Sequence, residues 1–521
     1  MRTLQFKITS LILPAALSAL LSVPLLFFLT RLALNHSAEI MGFLLRFRTL
    51  ELVTNSLALI LLVVVLATIL AIPPAYLLGR RTFAGKPIVQ TILALPLAVP
   101  GYIIAWSLLG LGGEQGLLSQ FFGVAIPQFK GLWGASFAIA LYTFPLLAVN
   151  LQHRFAELDL LQEQAARLLG KNRTERFWHL TLPQLWPAFK SGWTLIALYV
   201  LSDFGVPALM GFDVLASAIY TEVITSFHQA GAFVYSGLSL LFTLFLLFLL
   251  KPNPQPAPPR VALPHQQALR NPIATIWAWS ISLASILPSL LVPAVALGHW
   301  LSLPSTWLNF LAYNQFLPSL SGTMFYSLTG STLGAVIALV IALILRFGQG
   351  PLVRLPFRII FLLYSMPGTA LALCWAIFLL HLVSPLYQTS LSYIVAVGVL
   401  AGALSLGPIL SSLISVSNLW LDGARLLGKS RSEVFSAILW PVLKKGVITG
   451  FFLSLGWVVR ELPMAAILSP LGSRTLALSV FSHTSEANYA GAAPYALALV
   501  VLGLLFGLLS GLLRNRYVVN P

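Results

Sequence analysis

From Leu52 to Gly79 the chain carries no charged side chain, and similar uncharged runs recur from Gly231 to Leu250 and from Ala487 to Leu513. A helix needs roughly 20 apolar residues to cross the hydrocarbon core of a bilayer. In lipid every backbone polar group must be bonded within the chain, so runs of this length become helices. The feature points to a polytopic, all-α integral membrane protein. Composition agrees: 58% of residues are hydrophobic and 8% charged. A soluble domain carries about 25% charged residues, and this chain has too few to cover a solvated surface.

The net charge of +16 would suggest nucleic acid as a partner of a soluble chain. Its distribution argues otherwise. Most Lys and Arg residues fall in short polar segments: Arg80, Arg81 and Lys86; Arg154 to Lys190; Lys251 to Arg270; Arg346 to Arg358; Arg425 to Lys445; and the two termini. These alternate with nearly uncharged stretches, as the positive-inside rule requires. The charge therefore reports topology, and the lipid bilayer rather than nucleic acid is the expected partner. The N-terminal apolar run from Ile8 to Phe28 is too long for a signal-peptide core and lacks a clear small-x-small cleavage site, so it reads as the first span. The single cysteine, Cys374, excludes an internal disulfide and reads as a small buried hydrophobe.

Hydropathy and loop charge predict about twelve spans. The first six lie near 8–34, 52–79, 87–110, 131–152, 191–210 and 231–250. The second six lie near 274–302, 323–345, 359–383, 391–417, 446–467 and 487–513. Residues 251–273 between them are proline-rich and suit an extended linker. The predicted organisation is a first half, 1–250, with a polar loop at about 153–190, and a second half, 274–521, with a polar loop at about 418–445. Both termini and the linker are expected on the basic, cytoplasmic side of the membrane.

The two polar loops repeat one another. EQAARLLGKNRTERFWHLTLP, from Glu163, matches LDGARLLGKSRSEVFSAILWP, from Leu421, without a gap. Six spans per half is an even number, so both copies face the same way and form a parallel repeat. A fainter echo pairs Pro100-Gly101 with Pro367-Gly368. Within each loop, Gly170 or Gly428 can adopt the left-handed conformation that closes a helix. Asn172 with Glu175, and Ser430 with Glu433, then have capping-box spacing for a second helix. That helix is expected to end near Leu182-Pro183 or Trp440-Pro441. The unit reads as helix, tight turn, helix.

These loops resemble the "EAA" motif of binding-protein-dependent ABC import permeases, E-A-A-x3-G-x9-I-x-L-P. The first copy matches at Ala165, Ala166, Gly170, Leu182 and Pro183, with Gln164 for Glu and Leu180 for Ile. The second keeps Ala424, Gly428, Ile438 and Pro441, and departs at Asp422, Gly423 and Trp440. The resemblance implies a type I permease fold whose loops couple to two cytoplasmic ABC ATPase subunits. It also implies a periplasmic substrate-binding protein and alternating access. The chain itself is then a transport subunit and not an enzyme, with no cofactor of its own and with ATP and Mg on the partner. The alternative, two helices that merely cap a bundle, gives no reason for the matched loops.

Gly423 to Ser430 formally satisfies the phosphate-loop pattern GxxxxGK[ST]. That chemistry needs a preceding strand and a glycine-rich loop, whereas Ala424 to Leu427 is helix-forming. No HExxH, Cys/His cluster or catalytic triad can be argued from the eight histidines, and no metal ligands are assigned.

Charged groups at bilayer depth are expensive and are functional candidates. Asp203 and Glu461 occupy equivalent places beyond the two loop prolines, beside Gly205, Pro207 and Pro463, which could interrupt helices. They are expected to line the pathway or its gate together with Arg460, the alternative being a structural pairing, for instance with that arginine or with a helix end. The segments SDFG (Ser202 to Gly205) and RELP (Arg460 to Pro463), with LSPLGSRTLA from Leu468, are similar to the fused ferric-iron permeases. The same architecture also serves thiamine, and split versions serve sulfate, molybdate, polyamines or phosphonates. A twelve-helix secondary transporter would not need the twin loops.

Overall fold

The computed structural model describes residues 2–518 except 35–36, 115, 125–126, 159, 227–228, 251–266, 269–270, 313–314 and 349. Most of the 251–273 linker lies outside the described residues, as do His36, His228 and His265. The chain is all-α. Among the described residues one two-residue parallel pairing occurs, Arg81–Thr82 with Gln267–Ala268. Among the described residues nine helices are long and apolar enough to cross a membrane, or eleven when each of two bent pairs is counted as one span. Leu182–Ser202 is less apolar. It is nonetheless the repeat counterpart of Trp440–Val458, which belongs to one of the nine.

Two compact units form, and each draws on both sequence halves. One comprises Phe43–Ile219 with Tyr235–Pro304; the other comprises Met1–Gly42, Tyr220–Val234 and Ser305–Pro521. The units thus cut across the 1–250 and 274–521 division, which describes the sequence repeat rather than the packing. The first helix of each half packs in the unit built mainly from the other. Arg2–Leu34 lies on Leu355–Ser365 and Gly368–Leu382, where Phe27 meets Phe378 edge-on at 6.1 Å. Pro272–Ser302 lies on Phe47–Arg80 and Gly101–Leu111, and Trp279 Nε1 donates to the Ala84 carbonyl at 2.9 Å.

Small residues set the helix contacts. Lipid tails are as apolar as leucine, so helices in a membrane associate through close packing rather than through hydrophobic exclusion. In the second unit a Cβ on Gly334 would lie 2.6 Å from Ala401 Cβ, and one on Gly450 would lie 2.8 Å from the Ser405 carbonyl oxygen. In the first unit a Cβ on Gly192 would lie 2.4 Å from Leu147 Cδ1.

Four expected spans are broken rather than straight. Lys86–Ala98 bends by 86° into Gly101–Leu111, and Pro351–Ser365 bends by 113° into Gly368–Leu382. The cause is local: a residue before proline avoids the helical region, and Val99 and Met366 take ψ of 122° and 148° ahead of Pro100 and Pro367. The expected spans 191–210 and 446–467 stop at Ser202 and Val458 and resume as the short helices Gly205–Leu209 and Pro463–Leu468.

Candidate functional site

Each polar loop folds as an elbow, and the two are built alike. In the first, Leu160–Leu168 ends at Gly170, whose φ is +77°. The Lys171 N–H reaches back to the Ala166 carbonyl and the Gly170 N–H to that of Arg167, both at 3.0 Å. This is a Schellman closure, which satisfies the last helical carbonyls and needs a residue tolerant of positive φ. In the second, Asn418–Leu426 ends at Gly428, with φ of +73°, and the Lys429 N–H donates to the Ala424 carbonyl at 3.1 Å. The next limb starts with a reciprocal capping box in each copy. Asn172 Oδ1 accepts from the Glu175 N–H at 2.7 Å while Glu175 Oε2 accepts from the Asn172 N–H at 3.1 Å. Ser430 Oγ accepts from the Glu433 N–H at 3.3 Å while Glu433 Oε2 accepts from the Ser430 N–H at 2.8 Å. Because Gly423 to Leu426 lies inside a helix, the phosphate-loop pattern there is not a phosphate loop.

One expectation is corrected. The second limb does not end at Leu182-Pro183 or Trp440-Pro441. It passes through a π turn, Phe177–Thr181 or Phe435–Leu439, and continues directly as Leu182–Ser202 or Trp440–Val458. The Leu182 N–H bonds the Phe177 carbonyl and the Trp440 N–H bonds the Phe435 carbonyl, five residues back. In an unbroken α-helix the ring of Pro183 would collide with the carbonyl four residues earlier. The wider turn moves that carbonyl aside, so proline marks the joint without stopping the helix.

The motif residues sit unevenly on these elbows. Gln164, Ala165, Pro183 and Asp422 are exposed, Ala166, Leu182, Gly423, Ile438 and Pro441 are half-buried, and Ala424 is buried. The most exposed side chains were not singled out by the motif. Leu168 and Leu169 are 89% and 80% exposed, and Leu426 and Leu427 are 89% and 81% exposed. Repetition of Leu-Leu-Gly inside otherwise polar loops was the available signal.

Asp203 and Glu461 stand at the two helix breaks, one in each unit. Asp203 Oδ2 accepts from the Tyr142 hydroxyl at 2.6 Å and Oδ1 from the Val206 N–H at 3.1 Å, the latter capping Gly205–Leu209. Tyr199 meets Tyr142 edge-on at 5.6 Å. Gly101 closes this corner: a Cβ there would lie 2.5 Å from Tyr142 Cε1 and 3.0 Å from Asp203 Oδ2. Glu461 is buried, and its Oε1 accepts from the Met464 N–H at 3.2 Å, capping Pro463–Leu468. Arg460 is half-buried at the same break. The equivalence of the two carboxylates in sequence is thus an equivalence of local geometry, since each opens a short helix after an interrupted one. Only the structure singles out Tyr142, 61 residues away in the chain, as the partner of Asp203.

The family model for the binding-protein-dependent transport system inner membrane component matches the chain twice, over residues 63–251 and 330–519. The chain is 27% identical over 477 residues to the Fe(3+)-transport system permease protein FbpB 2 of Haemophilus influenzae, covering 91% of each chain. It is 32% identical over 169 residues to the molybdenum transport system permease protein ModB of Escherichia coli, covering 30% of this chain and 72% of that one. Over 184 residues it is 27% identical to the sulfate transport system permease protein CysT of Synechococcus elongatus, covering 34% of this chain and 66% of that one.

Proposed function

The chain belongs to the family of binding-protein-dependent transport system inner membrane components, with two copies fused in one polypeptide, and from that premise we propose that it moves ferric iron into the cytoplasm. It is the permease of an ABC importer and not an enzyme. Its partners are an ATPase and a substrate-binding protein. In our reading two ATPase subunits bind at the cytoplasmic face, one per elbow, and carry the ATP and Mg. The binding protein docks from the periplasm of a bacterial inner membrane, and both termini of the permease are cytoplasmic.

The observation that carries the iron reading is coverage. The iron-transport relative aligns along 91% of both chains, whereas the molybdenum and sulfate relatives align with about a third of this one. Charge points the same way. Asp203 and Glu461 lie at helix breaks in spans, where a carboxylate is costly unless it serves a function. Carboxylate and phenol oxygens suit a hard cation and would repel an oxyanion such as molybdate or sulfate.

Support for the coupling role comes from the elbows. Each carries an exposed pair of leucines at its tip, a glycine closure behind them and a capped second limb continuous with a span. A tip of this kind suits a groove on a separate motor. ATP binding would move the tip, and the continuous limb would deliver that movement to the membrane-spanning helices.

The test is reconstitution with the ATPase and binding protein in proteoliposomes, measuring ATP-dependent uptake of radioactive iron, molybdate and thiamine. Iron uptake alone is expected. Uptake of molybdate or thiamine without iron overturns the substrate assignment. In the same assay the pair Gly170→Trp and Gly428→Trp is expected to abolish ATP-driven uptake, because a non-glycine residue in the left-handed region is strained. Undiminished uptake in that pair removes the coupling role.

A further inference from the structure

Each elbow has two limbs, and only the second is continuous with a span. The first limb follows a chain break. In the first copy Gly131–Glu157 stops at Leu158, which is extended with ψ of 132°, before Leu160–Leu168 begins. In the second copy Ser390–Ile414 stops at Ser415 before Asn418–Leu426 begins. A limb attached only through such a break would pivot, and movement at the leucine tip would be dissipated there.

In both copies an arginine from the end of another long helix crosses to that limb. Arg80, the last residue of Phe47–Arg80, places Nη2 2.6 Å from Glu163 Oε2 on the first limb, and the arginine side chain is only 15% exposed. Its helix end is fixed there, because a Cβ on the preceding Gly79 would lie 2.5 Å from Phe155 Cβ. Arg346, in the last turn of Phe316–Phe347, donates to Asn418 Oδ1 and, at 3.4 Å, to the carbonyl of Val416. Those two acceptors bracket the break itself. The chemistry differs between copies, an ion pair in one and neutral acceptors in the other, while the placement is shared. The residue aligned with Glu163 in the loop repeat is Leu421, so the loop sequence does not carry this device.

We propose that Arg80 and Arg346 are positioning residues that clamp the first limb of each elbow to the base of Phe47–Arg80 and Phe316–Phe347. Tip movement then drives that helix and the span continuous with the second limb together. This proposal rests on the coupling role of the elbows. Charge-assisted hydrogen bonds are the strong ones, above all when partly withdrawn from water, so loss of the Arg80 contact should show in function.

The experiment uses the full permease assembled with its ATPase and binding protein in proteoliposomes. The readout is cargo moved per ATP hydrolysed. Arg80→Ala and Arg346→Ala are each expected to retain ATP hydrolysis while this ratio falls roughly fivefold, the factor that a loss near the low end of single-interaction energies represents. The swap Arg80→Glu with Glu163→Arg is expected to recover most of the ratio, which assigns the effect to the contact between the two side chains rather than to the loss of either one. Glu163→Ala, which removes the acceptor and leaves Arg80 in place, covers the case in which Arg80→Ala fails to assemble, and it is expected to lower the ratio as well. An unchanged ratio in the arginine variants or in Glu163→Ala, with Gly170→Trp and Gly428→Trp still abolishing uptake, overturns the clamp and leaves the elbow role standing. An unchanged ratio in all of them overturns the elbow role itself.

Discussion

At the scale of single residues, the most informative contact is Tyr142 to Asp203. A hydrogen bond to a charged group contributes about 1.5–3 kcal/mol, and this one also steadies the carboxylate that caps Gly205–Leu209. Structural and functional roles can be separated here. Asparagine caps a helix about as well as aspartate, so Asp203→Asn is expected to leave thermal unfolding of the solubilised protein within about 1 kcal/mol of the parent. It should nevertheless depress iron uptake, because the charge is gone. Tyr142→Phe is expected to lower stability by about 1.5–3 kcal/mol. Normal uptake in Asp203→Asn would leave the carboxylate with only its capping role. The sequence disclosed the carboxylate, because a charge in an apolar run stands out. It did not disclose the partner, because tyrosine is common in spans and the contact joins residues 61 apart.

At the scale of the element, the π turns explain how a proline can sit within a continuous helix. Each turn holds one residue more than an α turn, and each immediately precedes the residue before a proline. Deleting Leu180 restores α register and brings the Pro183 ring back against a carbonyl, at a cost of about 3 kcal/mol. The deletion is therefore expected to lower the unfolding temperature, and adding Pro183→Ala is expected to recover most of the loss. If the second change recovers nothing, proline is not the reason for the turn. Sequence reading expected a helix end at this place, since proline is the strongest local breaker. What it lacked was the neighbouring backbone, where a single wider turn resolves the collision and keeps the limb rigid.

At the scale of the whole molecule, the two halves exchange their first helices. Arg2–Leu34 covers Gly368–Leu382, and Pro272–Ser302 covers Gly101–Leu111. Residues 274–521 expressed alone should therefore lack a helix that their unit requires, and should accumulate poorly in membranes. Co-expression with residues 1–250 is expected to restore accumulation, measured as folded protein per unit of membrane. Equal accumulation of 274–521 with and without 1–250 would show that the exchanged helix is dispensable.

The sequence by itself determined the solvent, the number of crossings to within the broken ones, the twofold repeat and the glycine-closed elbows. Each of these depends on residues near one another in the chain: apolar runs, loop charge, helix stops and caps. The tertiary structure decided where the spans break and that the second limb continues into the membrane-spanning helix. It also decided which unit each first helix joins, which tyrosine holds Asp203 and which arginine grips each elbow. Those outcomes depend on contacts between residues far apart in the chain, and in a membrane such contacts are set by the fit of small residues and by a few polar groups that local patterning does not record.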